Sequence, residues 1–155
     1  MSKVALFPGS FDPFTKGHEN IIKRALPLFD KIIIAIGVNS SKGNFFSLEK
    51  RLAIIRHLYR DEPRISVESY DGLTVDFCRK TGAAYILRGL RTSSDFEYER
   101  AIAQTNRKMQ PGIETVFLLT TPELTPINST IVREILRYGG DYTHFLPEGI
   151  NPDDF

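Results

Sequence analysis

The hydrophobic positions of this chain form two kinds of segment that alternate from one end to the other. Short apolar runs, often β-branched, predict strands, and they lie at residues 4–6, 32–36, 65–69, 84–87 and 114–119. Longer segments with apolar residues every three or four positions predict helices, at about residues 21–29, 48–59, 73–81, 94–109 and 129–137. Strands separated by helices in this way indicate βαβ units and a parallel sheet.

The simplest topology for these units is one domain over residues 1–155. Because crossover connections are right-handed, they produce a doubly wound, Rossmann-like α/β fold with a five-stranded parallel sheet and helices on both faces. Helix starts are predicted at Ser47, at Ser94 with Glu97 in capping-box spacing, and at Asn128 or Ser129. Ligands of such sheets bind beyond the carboxyl ends of the strands. The loops expected there are residues 7–18, 37–46, 70–74, 88–95 and 120–130.

Composition narrows the class of protein. The net charge of +1 gives no electrostatic reason to expect nucleic acid or membrane binding. The single cysteine, Cys78, excludes an intrachain disulfide and a cysteine-based metal cluster, and its apolar-periodic surroundings predict a packed helix position. The sequence has neither a signal-peptide pattern nor an apolar run of membrane-spanning length. A cytoplasmic protein is expected.

The segment from Phe7 to His18 carries the strongest chemical signal. It is glycine-rich and joins the first strand to the first helix, where free N–H groups and the helix dipole favour a phosphate. Ser10 is either a turn hydroxyl bonded to its own backbone or a donor to a phosphate oxygen. His18 lies in the first turn of the helix, so it would face the same anion.

Basic residues follow two further strands. Lys42 is either solvated surface or a phosphate ligand at the carboxyl edge of the sheet. Arg88 and Arg91 flank a glycine in a predicted loop after the fourth strand, and arginine forks match phosphate oxygens. The competing interpretation is that both arginines form ion pairs. The acidic candidates for those pairs are Asp95, Glu97 and Glu99.

The start of the last helix has more capping groups than a cap requires. Asn128, Ser129 and Thr130 follow one another, which suggests that an anion binds at this helix end. Two helix N-termini would then face one cleft. His57 and His144 have no companions at metal-ligand spacing, so we expect them on the surface or packed, and no protein-held metal site is predicted.

These segments resemble the signatures of a known enzyme superfamily. Residues 15–18, Thr-Lys-Gly-His, are similar to the T/H-x-G-H signature of nucleotidyltransferases, and residues 127–133 are similar to its second signature, I-S-S-T-x-x-R. With the Pro-Gly-Ser-Phe-Asp-Pro opening and the Arg-Gly-Leu-Arg segment, the resemblance to bacterial phosphopantetheine adenylyltransferases runs from about Val4 to Pro147.

The resemblance implies a reaction and a set of site residues. The family transfers the adenylyl group of ATP, with Mg²⁺, to 4′-phosphopantetheine and forms dephospho-coenzyme A and pyrophosphate. The residues implied to act in catalysis are Ser10, His18, Lys42 and Arg91, and those implied to bind phosphopantetheine are Ser10, Lys42, Thr74 and Arg88. Those implied to bind ATP are Ser10, Phe11, His18, Gly89, Leu90, Arg91, Glu99, Leu124, Thr125, Pro126, Ile127, Asn128, Ser129 and Thr130. The family also implies a homohexamer and feedback inhibition by coenzyme A.

The sequence departs from the family pattern at three positions and leaves rivals open. Ser10 stands where threonine is frequent, Thr15 replaces the first histidine of the wider superfamily, and Asn128 replaces the first serine of the second signature. Sibling enzymes that use nicotinamide mononucleotide or glycerol phosphate are the nearest alternatives. A noncatalytic nucleotide-binding module on the same sheet is the alternative from another class.

Overall fold

A computed structural model describes residues 2–38 and 43–155 and confirms the alternating pattern of strands and helices. The strands are β1 (Val4–Gly9), β2 (Lys31–Gly37), β3 (Ile65–Tyr70), β4 (Tyr85–Leu90) and β5 (Glu114–Leu119). The helices are α1 (Lys16–Ala25), α2 (Leu48–Leu58), α3 (Thr74–Thr81), α4 (Ser93–Met109) and α5 (Ser129–Arg137). Short 3₁₀ helices follow at Leu26–Leu28, Pro122–Leu124, Tyr142–His144 and Pro152–Asp154.

The five strands form one parallel sheet in the order β3-β2-β1-β4-β5, so the predicted doubly wound fold is confirmed. The order reverses between β1 and β4, which is where ligands bind in such folds. β1 pairs with β2 along its whole length, but it pairs with β4 only at Ala5 and Leu6. Beyond Leu6 the two strands separate, and this separation opens a crevice at their carboxyl ends.

The core lies on both faces of the sheet because successive side chains of β2 alternate between them. Ile32, Ile34 and Ile36 pack with residues of α1 and α2 on one face. Ile33 and Ala35 pack with α3 on the other face. A third cluster joins α5 to α2 and to the C-terminal segment, through Val132, Ile54, Leu146 and Ile150.

Several boundaries differ from the predictions. The prediction of a loop at the two arginines after the fourth strand was wrong in part, because β4 continues through Arg88, Gly89 and Leu90. The predicted start of α4 at Ser94 was also wrong, since Thr92 is the N-cap and its hydroxyl accepts the N–H of Asp95 at 3.2 Å. A threonine two residues earlier serves equally well, because it too accepts from the N–H three residues on.

Other local predictions are confirmed. Ser47 caps α2 by accepting the N–H of Lys50, Asn128 caps α5 by accepting the N–H of Ile131, and Gly82 ends α3 in the left-handed conformation. Cys78 is buried in α3, and burial raises the pKa of its thiol to about 11, so the thiolate is disfavoured. Within the described ranges, the helices are too short or too polar to cross a membrane.

Candidate active site

Two adjacent cavities lie at the carboxyl ends of the strands, around the crevice between β1 and β4. The larger has a volume of about 480 Å³ and the smaller about 270 Å³. They share a wall that consists of Pro8, Gly9, Ser10, Arg88 and Glu99. The site is therefore a cleft with two compartments that share one wall.

The larger compartment brings together most residues predicted to bind ATP. The predicted ATP-binding residues in its lining are Ser10, Phe11, His18, Gly89, Arg91, Glu99, Ile127, Asn128, Ser129 and Thr130, and Arg88, predicted to bind phosphopantetheine, lines it as well. They come from the glycine-rich turn, from β4 with the start of α4, and from the N-terminus of α5. The expectation that two helix N-termini face one cleft is thus confirmed for α1 and α5.

The smaller compartment contains Ser10, Thr74 and Arg88, three of the four residues predicted to bind phosphopantetheine. Thr74 is the first residue of α3, and its hydroxyl is 2.9 Å from the hydroxyl of Tyr70 at the end of β3. The fourth residue, Lys42, lies outside the described residues.

Four predicted ATP-binding residues lie away from the lining. Leu90 is buried at the end of β4, where its side chain belongs to the core. Leu124, Thr125 and Pro126 lie in and after a 3₁₀ turn, and the lining of the larger compartment includes Thr120 before this turn and Ile127 after it. Their role in ATP binding stays a prediction.

The orientation of His18 is fixed by the residue that caps its helix. The Thr15 N–H donates to Nδ1 of His18 at 2.9 Å, and the Thr15 hydroxyl accepts the backbone N–H of His18 at 3.4 Å. Because a backbone N–H can only donate, Nδ1 is the unprotonated nitrogen of the neutral ring, and Nε2 carries the proton. The ring also packs against Phe11 and Phe14, with centroid distances of 5.0 and 5.3 Å.

Electrostatics keeps this ring neutral. Burial, followed by the charges of Arg88 and Arg91, lowers the pKa of His18 to about 3. At neutral pH the residue is an uncharged N–H donor at the edge of the larger compartment. Such a donor suits an anionic ligand without requiring a proton transfer.

The lowered pKa of His18 has a consequence for stability. Between pH 6.5 and about 3 the unfolded chain binds a proton at His18 that the folded chain does not, so stability falls as the pH falls through this range. We expect the free energy of unfolding to fall by at most about 1.4 kcal/mol for each pH unit in this range. Denaturant unfolding at several pH values checks it, with His18→Gln as control. If the two proteins lose stability in parallel, His18 is not held neutral by the fold.

Gly9 and Phe11 form a tight contact beside His18. Phe11 adopts a φ of 47°, which is uncommon for an aromatic residue, and its ring lies over Gly9. A Cβ on Gly9 would lie 2.9 Å from the ring's terminal carbon. The ring has little room to move because Phe11 is 3% exposed and packs against Phe7 and Phe14.

We therefore expect Gly9→Ala to displace the Phe11 ring, which packs against His18. The overpacking should lower the free energy of unfolding by about 1–3 kcal/mol and reduce turnover. Denaturant unfolding and steady-state kinetics measure both effects. Gly112→Ala is the matched control, since a Cβ there meets nothing within 4 Å. Equal stability and turnover for the two variants would contradict the contact.

Arg88 holds the wall between the two compartments. Its Nε and Nη2 donate to both carboxylate oxygens of Glu99, at 3.0 and 2.6 Å, and its Nη1 donates to the Pro8 carbonyl at 2.6 Å. The side chain thus bridges β4, α4 and the end of β1 across the crevice. Each terminal nitrogen carries two hydrogens, so one N–H on each has no acceptor among the residues that the structure describes.

The ion-pair interpretation of Arg88 and Arg91 is confirmed, and their binding of phosphate stays a prediction. Each arginine pairs with an acid, Arg88 with Glu99 and Arg91 with Asp95, and each still lines the larger compartment. Glu97, the third acidic candidate, pairs with Arg100 instead. The acids therefore orient the arginines beside the cleft. His57 and His144 are both exposed, as expected.

Sequence reasoning missed part of both linings and the contacts that support them. Tyr98 lines the larger compartment, and Ile102, Ala103 and Asn106 of α4 line the smaller one. The four lie within about three turns of one helix, a spacing that was visible in the sequence, but no motif marked this face. Asp12 is buried, and its carboxylate accepts the N–H groups of Phe45 and Phe46 at 2.7 and 2.8 Å. Its partners are more than 30 residues away, so no local pattern indicated them.

The fold and site define a nucleotidyltransferase, and comparison with known proteins agrees. A model of the Cytidylyltransferase-like family matches residues 6–135. Proteins named phosphopantetheine adenylyltransferase are 58% identical in Flavobacterium psychrophilum and 56% identical in Bacteroides thetaiotaomicron, each over 148 residues. Both alignments cover 96% of this chain and 97% of the relative. The chain belongs to the phosphopantetheine adenylyltransferases within this family.

Solved structures support the fold alone. The bifunctional NMN adenylyltransferase/ADP ribose pyrophosphatase of Francisella tularensis, complexed with AMP and a manganese ion, aligns with a TM-score of 0.71 at 21% identity. The alignment covers 97% of this chain and 46% of that one. The predicted Rossmann-like fold is thereby confirmed.

Proposed function

We propose that this enzyme transfers the adenylyl group of ATP to 4′-phosphopantetheine, with release of pyrophosphate and formation of dephospho-coenzyme A. The observation that carries the proposal is the two-compartment cleft, whose shared wall contains Ser10 and Arg88. ATP occupies the larger compartment and the acceptor occupies the smaller one. The names of relatives at 56–58% identity support the choice of acceptor.

The chemistry requires positioning more than acid–base catalysis. A phosphate monoester already carries a nucleophilic oxygen, which attacks the α-phosphorus of ATP while the bond to pyrophosphate breaks. Negative charge grows on the equatorial oxygens and on the leaving group. Donors fixed beforehand around these atoms stabilise that charge without reorganisation.

The residues around the shared wall take distinct roles in this proposal. The neutral Nε2–H of His18 donates to an oxygen on the α-phosphorus as its charge grows. Arg88, already held by Glu99 and Pro8, presents its remaining N–H groups to the acceptor phosphate, and Lys42 assists it. Arg91 and the N-terminus of α5 at Ser129 and Thr130 face the departing pyrophosphate.

Most of the remaining predicted ATP contacts line the same compartment, and Leu90, Leu124, Thr125 and Pro126 lie outside its lining. Ser10, Phe11 and Gly89 bring backbone close to the triphosphate, and Glu99 and Asn128 line the same space. Leu90, Leu124, Thr125, Pro126 and Ile127 complete the predicted nucleotide contacts, and Thr74 contacts the pantetheine arm at the smaller compartment.

Mg²⁺ enters this proposal as part of the ATP substrate. Across residues 2–38 and 43–155, the His, Cys, Asp and Glu side chains do not form a group of three or more that would hold a metal ion. Mg²⁺ prefers phosphate oxygens and water with few protein carboxylates, so the triphosphate supplies its ligands. By its resemblance to the phosphopantetheine adenylyltransferases, we further propose that the enzyme is a cytoplasmic homohexamer and that coenzyme A inhibits it.

The decisive experiment offers the enzyme competing acceptors. Pyrophosphate release from ATP is measured with 4′-phosphopantetheine, with nicotinamide mononucleotide and with glycerol phosphate. We expect release with 4′-phosphopantetheine alone, together with dephospho-coenzyme A as product. Release only with another acceptor would assign a sibling activity, and ATP binding without release for any acceptor would indicate a noncatalytic module.

A further inference from the structure

A buried arginine outside the predicted site donates a hydrogen bond to the glycine-rich turn. Arg51 of α2 is 3% exposed. Its Nη1 donates to the Ser10 carbonyl at 2.7 Å, and its Nε donates to the carbonyls of Phe46 and Ser47 at 3.1 and 3.3 Å. One side chain therefore ties the phosphate turn to the segment that leads into α2.

The charge of Arg51 has no acidic partner in the part of the chain that the structure describes, where its acceptors are carbonyl oxygens. Burial of an unpaired cation is costly, and ion pairs or a functional gain normally offset that cost. Arg88 and Arg91, by contrast, both face carboxylates. Burial of the Arg51 guanidinium is therefore expected to destabilise the fold. Its hydrogen bond to Ser10 indicates that the arginine serves the active site.

The carbonyl that Arg51 holds belongs to the peptide unit between Ser10 and Phe11. In a planar trans peptide the C=O and the N–H point in opposite directions, so a donor fixed on the carbonyl side turns the N–H away from itself. Within the described residues, the Phe11 N–H donates to no protein acceptor. Both residues line the larger compartment, which leaves this N–H for a ligand there.

The orientation of this peptide needs support because Phe11 has a φ of 47°. Such backbone costs about 1–3 kcal/mol and persists only where surrounding contacts hold it. Arg133 donates to the Asp12 carbonyl at 2.9 Å, and Ser129 donates to the Pro13 carbonyl at 3.1 Å, both from α5. Arg51 supplies a further contact to the same turn, from α2.

We propose that Arg51 is a positioning residue for the adenylyl transfer. It fixes the Ser10–Phe11 peptide so that the Phe11 N–H faces the phosphates of ATP, and it acts through this peptide without touching the substrate. The proposal rests on the ATP site described above. It predicts an effect on phosphate recognition and none on recognition of the nucleoside.

The test compares Arg51→Gln and Arg51→Lys with two controls from the same helix. Arg56→Gln removes an arginine that donates to a carbonyl of β3, Val67, far from the turn. Ile55→Val trims a fully buried core residue of α2 and provides a loss of stability while leaving the hydrogen bond of Arg51 to Ser10 in place. Calorimetry without acceptor gives the affinities for ATP and adenosine, and steady-state kinetics gives kcat and both KM values.

We expect Arg51→Gln to weaken ATP binding roughly 10-fold, since a hydrogen bond to a charged group is lost, with adenosine affinity unchanged. Turnover should fall while the KM for 4′-phosphopantetheine changes less than the KM for ATP. The ATP affinity of Arg51→Lys should lie between those of the unchanged enzyme and Arg51→Gln. A single ammonium keeps the charge but cannot reach both the Ser10 carbonyl and the segment that leads into α2. If Arg51→Gln does not fold, the lysine variant carries the same comparison.

Two outcomes overturn the proposal. An equal loss of ATP and adenosine affinity would mean that Arg51 only maintains the fold. Binding and kinetics indistinguishable from Arg56→Gln and Ile55→Val would mean that the contact to Ser10 has no consequence. Because ATP affinity is measured without acceptor, the comparison decides the role of Arg51 even if 4′-phosphopantetheine is not the substrate.

Discussion

Replacement of His18 by alanine is expected to lower turnover by roughly two to three decades, the cost typical of losing one donor that stabilises a developing oxyanion. The neutral Nε2–H supplies that donor, and the Thr15 N–H on Nδ1 holds the ring in the required tautomer. The KM values should change less than kcat, because the donor acts most strongly as charge grows at the α-phosphorus. Pyrophosphate release with both substrates saturating measures the effect.

The control for this variant is His57→Ala. His57 is an exposed histidine of α2, so its removal tests whether loss of any imidazole affects the assay. Circular dichroism and denaturant unfolding should show that His18→Ala keeps the fold. A folded His18→Ala protein with near-normal turnover would remove His18 from the mechanism.

The second large effect is expected for Arg88→Met. Loss of a charged hydrogen bond to the acceptor phosphate costs about 1.5–3 kcal/mol, which corresponds to roughly 10- to 100-fold in kcat/KM for 4′-phosphopantetheine. Stability should fall as well, because Glu99 is left as a buried carboxylate without its partner. Steady-state kinetics with the acceptor varied measures the first effect, and denaturant unfolding measures the second.

A double variant separates the two roles of Arg88. Arg88→Met combined with Glu99→Gln no longer buries an unpaired carboxylate, so its stability should recover relative to Arg88→Met. Its kcat/KM should stay low, because the donor to the phosphate is still missing. Recovery of both stability and kcat/KM in the double variant would show that Arg88 serves the fold and not the acceptor.

Much of the site was predictable because its motifs are local. The first strand and the placement of His18 in the first turn of α1 follow from residues within one short segment, and the cap of α5 at Asn128 follows from another. The predicted cap at Ser94 was wrong because Thr92 offers an equivalent hydroxyl, and the local pattern alone does not decide which of the two caps the helix. Placement of Leu124, Thr125 and Pro126 against ATP depends on a ligand and stays a prediction.

The contacts that finish the site were not predictable, because they join residues far apart in sequence. Arg51 reaches Ser10 across 41 positions, Arg88 reaches Pro8 across 80, and Arg133 reaches Asp12 across 121. Each uses an arginine and a backbone carbonyl. Every residue, proline included, offers the same backbone carbonyl acceptor, so sequence pattern carries no information about which carbonyl is chosen.

By itself, the sequence determined the order of strands and helices, the parallel sheet and the two signatures that place phosphate chemistry at its carboxyl edge. Apolar periodicity and capping chemistry are properties of neighbouring residues, and they act before any tertiary contact forms. Only the tertiary structure decided that β1 and β4 separate beyond Leu6 and that their crevice divides at Ser10 and Arg88. It also decided that His18 is neutral, since a pKa of about 3 arises from burial and from two arginines of β4 and the turn after it.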